Sequence, residues 1–195
     1  MKLLKYTLLF CLLFIINTNA SEIKEIKNKV NRYFVNLKTL QAEFVQHSNF
    51  EGELTKGLFY IDRPGKLRFE YHYPFKSLLI NNDKITNYYD IELDELTTIP
   101  SSKTPLSFLL KEAKTLEEMN FKIDQIIRKD YKVYVKVENK DIEQAQFITF
   151  VFNEQVSDLN SIIVEDENNN KLTLDLFNTK VNKPIDKNLF ILKKK

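Results

Sequence analysis

Side chains that could do covalent or metal chemistry are few in this chain, and they fall at the wrong spacings. Its histidines are His47 and His72, its one cysteine is Cys11, and no Gly-x-Ser-x-Gly elbow occurs. A nucleophile needs a base in reach, and a tetrahedral zinc site needs four nitrogen or sulfur ligands. Neither set assembles from these residues. Asp166, Asn168 and Asn170 have the alternate spacing that opens a calcium loop, but Lys171 stands where glycine should follow and Phe177 where a bidentate Glu should close it. A hairpin turn is the better reading. Asp90, Glu92, Asp94 and Glu95 cluster without a histidine or an implied cavity, as a solvated edge does. Arg63 differs from all of these. It precedes a Pro64-Gly65 corner at the end of an aromatic strand, as either an ordinary turn arginine in water or a guanidinium that reaches the exposed carbonyls of a helix end lying across a sheet.

The elements that would position Arg63 run from Leu54 to Tyr73, two strands joined at Asp62-Arg63-Pro64-Gly65. In the second strand Leu67, Phe69, Tyr71 and Tyr73 share one face and Lys66, Arg68, Glu70 and His72 the other, because side chains alternate along a strand. Before this pair, Ile23, Ile26, Val30, Phe34 and Leu37 recur at steps of three and four, the apolar stripe of a helix that Ser21 would cap. A first strand starts at Thr39. After it come a hairpin of Ser77–Ile80 and Ile85–Asp90, a strand over Leu93–Ile99, and a second helix opening at Thr104-Pro105 that is apolar around most of its girth. The remaining chain reads as strands over 121–127, 131–138, 146–152, 161–165 and 171–177, with an edge strand at Leu189–Leu192 guarded by Lys193–Lys195. Short polar turns without helical crossovers mean an antiparallel meander.

Residues 1–20 read as a cleavable secretory signal, with Lys2 and Lys5 ahead of an apolar stretch and Thr18-Asn19-Ala20 before the cut. Cys11 would leave with it, and Ser21 would open a single domain over 21–195. Lys and Arg total 29 against 27 Asp and Glu; without Lys2 and Lys5 the cations also number 27, so no nucleic-acid footprint is implied. With 15 Phe and no Trp, the aromatic inventory suits a thick apolar interior or a lined cavity.

Phe44-Val45-Gln46, Gly57-Leu58-Phe59-Tyr60, the Arg63-Pro64-Gly65-Lys66-Leu67-Arg68-Phe69 run, Pro74, Tyr89-Asp90, Thr104-Pro105 and Asp166 together resemble the periplasmic outer-membrane lipoprotein carrier family, LolA. The resemblance implies an α+β fold, an open antiparallel half-barrel with helices covering its concave apolar face. It also implies a non-enzymatic, cofactor-free periplasmic chaperone, expected as a monomer. Such a carrier takes acylated lipoproteins from an inner-membrane ABC transporter and hands them to an outer-membrane receptor. Arg63 is then the latch of the lid. The acyl-binding face and lid would comprise Phe44, Phe59, Leu67, Phe69, Tyr71, Leu78, Ile80, Leu106 and Leu109. Departures are Asn82-Asp83 and Asn168-Asn169 where the family often turns on glycine, and the short stretch after Phe190. The competing reading is a periplasmic carrier of another lipid or an isoprenoid.

Overall fold

The computed structural model describes residues 20–193 except 51, 53, 105, 113 and 139–146. The expected signal segment up to residue 19, Pro105 and the last two lysines lie outside the described residues. Helix α1 covers 20–36. It is already under way at residue 20, so Ser21 lies inside it and does not cap it. Ile26, Val30 and Phe34 are buried at steps of four, but Ile23 is exposed, as are all of residues 20–25. Asn182 closes the other end. Its Nδ2 donates to the Asn36 carbonyl at 2.9 Å and its Oδ1 accepts from the Lys38 amide at 2.8 Å, satisfying groups that a helix terminus leaves open.

Eleven strands follow among the described residues: β1 (Thr39–Ser48), β2 (Thr55–Asp62), β3 (Lys66–Tyr73), β4 (Ser77–Asn82), β5 (Ile85–Asp90), β6 (Glu95–Pro100), β7 (Lys122–Lys129), β8 (Lys132–Glu138), β9 (Phe147–Asn153), β10 (Leu159–Glu165) and β11 (Lys171–Val181). They form one open antiparallel sheet in the order β6-β5-β4-β3-β2-β1-β11-β10-β9-β8-β7. Two meanders therefore meet at the β1–β11 seam. The chain leaves one from its outer edge, β6, and enters the other at the opposite edge, β7, so residues 101–121 have to cross a face of the sheet.

That crossing was expected to contain an α-helix, and its described residues hold none. It holds 3-10 turns at Ser101–Lys103 and Ser107–Leu110, and no side chain caps the second. Phe108, Leu109 and Leu110 are all buried, and the carbonyls of Leu109 and Leu110 are taken by Arg63 and by the Gly65 amide, which stops a helix from propagating. So α1 is the one α-helix among the described residues, and the cover over the apolar face is a helix and a looped strap, not a set of helices.

The same face carries the core. Phe34 of α1 meets Phe150 at 4.8 Å and Phe152 at 6.3 Å between ring centroids, and Phe108 of the crossing meets Phe150 at 5.6 Å. These edge-on pairs lock the helix and the strap over β9. Behind the sheet, the C-terminal segment makes a 3-10 turn at Lys187–Phe190 in place of the expected edge strand. Arg68 donates to its Leu189 carbonyl at 2.9 Å, Lys187 pairs with Asp62, and Phe190 is 2% exposed.

Candidate functional site

Arg63 sits at the corner between β2 and β3, where its guanidinium turns inward. Its Nε donates to the Leu109 carbonyl at 2.9 Å and one terminal nitrogen donates to the Phe34 carbonyl at 3.1 Å. One side chain thus ties the sheet to the last turn of α1 and to the crossing strap. Its charged carbon lies 6.0 Å from the centre of the Phe34 ring. The other terminal nitrogen is buried without a partner, and burial pushes the pKa down to about 10. The cation stays charged at neutral pH while lacking part of the hydration it would have in water. The sequence left this residue between a solvated turn and a reach to helix carbonyls; the second is what the fold contains.

Beside this tie lies an apolar cavity of about 240 Å³. Leu67, Phe69 and Tyr71 of β3 form one wall, Leu79 of β4 and Ile99 of β6 extend it, Leu106 and Leu110 roof it, and Ile162, Val164, Leu172 and Leu174 of β10 and β11 close it. β6 and β10 are seven strand spacings apart in the sheet, about 34 Å if it were flat. A single small cavity touches both only because the sheet curls around this face.

Of the residues expected at the apolar site, Leu67, Phe69, Tyr71 and Leu106 line the cavity. Phe44 and Phe59 are buried against that wall: the Phe59 ring stacks on Phe69 at 4.4 Å, and Phe44 meets Phe69 and Tyr71 at 5.3 and 5.4 Å. Gly57 makes room for them. It pairs with both Phe44 and Tyr71, and a Cβ there would stand 1.9 Å from the Glu70 carbonyl oxygen. Leu109 is fully buried and contributes its carbonyl to Arg63. Burial also raises the Tyr71 hydroxyl above its usual pKa, so it stays neutral.

Leu78 and Ile80 do not belong here. Opposed residues of an antiparallel pair share a face. Phe69 pairs with Leu79 and Leu67 with Asn81, whereas Leu78 opposes Glu70 and Ile80 opposes Arg68. Leu78 and Ile80 therefore point to the back, where they pack with Tyr89 and Leu192 under the C-terminal segment. Tyr73, expected on the aromatic wall, is 57% exposed at the end of β3. Lining residues missed by the sequence reading include Leu79, Asn81, Thr86, Ile99, Leu110 and the β10–β11 residues.

The chain is thus a strongly curled, open antiparallel sheet with a strapped, largely apolar interior. The family model described as outer membrane lipoprotein carrier protein LolA matches residues 35–193, and the chain belongs to that family. It is 31% identical to an outer-membrane lipoprotein carrier protein of Coxiella burnetii over 57% of this chain and 56% of that one. An uncharacterized protein of Rickettsia prowazekii is 28% identical over 85% of this chain and 74% of its own length. Among solved structures, an uncharacterized conserved protein from Thermus thermophilus superposes with a TM-score of 0.55 at 12% identity, covering 89% of this chain and 95% of that one. At that identity the likeness is one of fold.

Proposed function

We propose that this protein is a periplasmic chaperone that receives the acyl chains of lipoproteins leaving the inner membrane and carries them to an outer-membrane receptor. The observation that supports it best is the pairing of an apolar cavity with a strap that one buried arginine ties shut. At about 240 Å³ the cavity is smaller than the roughly 300–1,000 Å³ of ordinary ligand pockets, so loading requires the strap to lift. Each methylene hidden from water contributes about 0.8 kcal/mol, and an open pocket that swallowed whole chains would hold them too tightly to deliver. A strap whose own Leu106, Phe108, Leu109 and Leu110 must leave the interior sets a cost against that gain. Net affinity falls to a level from which an acceptor can take the cargo. Loading is then driven from outside, by an inner-membrane ATP-dependent transporter. The carrier acts as a monomer and performs no bond chemistry.

The test is to purify the protein from the periplasm of cells that make acylated lipoproteins and to identify by mass what elutes with it. An intact acylated lipoprotein in a soluble complex is the expected result. Free phospholipid or isoprenoid in its place would overturn the lipoprotein assignment and favour a carrier of other lipids.

A further inference from the structure

The cavity wall is polar at Gln46, Asn81, Thr86 and Thr104, and Ser101 stands behind it against Asn81. Asn81, Thr86 and Ser101 are 1%, 1% and 7% exposed, and they stand together where β4, β5 and the start of the strap meet. Asn81 Nδ2 donates to Thr86 Oγ1 at 2.9 Å and to Ser101 Oγ. Leu67 pairs with Asn81, Asn81 with Thr86 and Thr86 with Ile99, so Asn81 and Thr86 share the face of two cavity-lining apolar residues. With its amide nitrogen engaged by both hydroxyls, Asn81 keeps its Oδ1 buried and without a hydrogen-bond partner. A buried acceptor left empty costs about 1–3 kcal/mol, and a leucine would fill the same space without that cost.

We propose that Asn81 Oδ1 is a recognition point for a hydrogen-bond donor carried by the ligand at the polar end of its chain. The chemistry selects an N–H or O–H next to an apolar chain, as in an N-acyl amide or an alcohol. It selects against a fully esterified lipid, whose carbonyl and ester oxygens only accept. Thr86 and Ser101 are positioning residues that hold the carboxamide with its oxygen free. The inference rests on the cavity being the chain-binding site, and it adds which end group that site prefers.

The test uses three probes of matched length, N-methyldodecanamide, dodecan-1-ol and methyl dodecanoate, each displacing an apolar fluorophore from the full soluble protein. Wild type should bind the amide roughly tenfold more tightly than the ester, the factor that one hydrogen bond supplies. Asn81→Leu should bind the ester at least as well as wild type and lose the preference. Leu79→Ala should weaken all three probes and keep their ranking. If Asn81→Leu does not fold, Asn81→Ser takes its place, since the shorter side chain withdraws the acceptor and leaves room. Preference for both donors over the ester supports recognition of any donor, and preference for the amide alone narrows it to N–H. If wild type binds all three probes alike, the proposal is overturned while the carrier reading stands. If no probe displaces the fluorophore, both fall.

Discussion

Replacing Arg63 by leucine removes a side chain that joins β2–β3, α1 and the strap. The two bonds lost have a charged donor, and such bonds contribute about 1.5–3 kcal/mol each. Against them stands the cost of burying the cation. A guanidinium brought from 12.5 to about 10 by burial is disfavoured by roughly 3 kcal/mol in its charged form. The tie therefore favours closure by a net of about 1–2 kcal/mol, and its loss should raise the open fraction of the strap by roughly five- to thirtyfold. Global stability should hardly move, with Tm within about 4 °C of wild type, because a leucine in this site packs without the desolvation cost. Hydrogen exchange at the Leu109 and Lys111 amides reads the opening directly, and affinity for an apolar fluorophore should rise by a similar factor. Onward transfer of cargo to the receptor should fall. Arg63→Lys should lie between, since an ammonium lacks the fork that reaches both carbonyls. If the leucine variant exchanged at the wild-type rate and delivered cargo normally, the tie would not control the strap and the reasoning would fail.

Other outcomes follow from the same geometry. Leu79→Phe should fill the cavity and cut fluorophore affinity with little loss of Tm, whereas Leu78→Ala should cost about 2–4 kcal/mol in denaturant unfolding and leave affinity unchanged, because the two leucines face opposite ways. Gly57→Ala should destabilise by about 3–5 kcal/mol in the same assay, since its Cβ has no room beside the Glu70 carbonyl and the Phe44 ring. Burial alone would raise the Glu70 carboxyl, but hydrogen bonds from Arg68 and His72 outweigh it and hold it below its ordinary 4.5. Its contribution is thus complete above that value and is lost as pH falls through the lower, folded one. Glu70→Gln should flatten the acid limb of the stability curve below its ordinary value of 4.5; an unchanged limb would place the acid sensitivity elsewhere.

Much of the sheet can be read from alternation, and the errors have physical causes. Leu67, Phe69 and Tyr71 declare their face because charged residues separate them. Leu78-Leu79-Ile80 does not, because β4 is covered on both sides: by the cavity in front and by Leu192 behind. Asn81 and Asn82 resemble turn residues, yet the strand continues through both and the reversal is made by Asp83 and Lys84, with Asp83 taking the positive φ of 61°. The walls from β10 and β11 carry no local mark of their role, because only the curl of the whole sheet brings them opposite Leu79. The strap has helical composition, but carbonyl bonds to a distant corner decide its form, and periodicity holds no trace of that competition.

The route of residues 101–121 has a mechanical consequence. A chain segment strung between the two outermost strands behaves as the string of a bow, and the curled sheet is its limb. Its contour length limits how far β6 and β7 can spread, while Arg63 pulls the string toward the middle of the limb. Cargo that pushes the string outward must change the bend of the limb, so filling the interior is felt at both edges of the molecule at once.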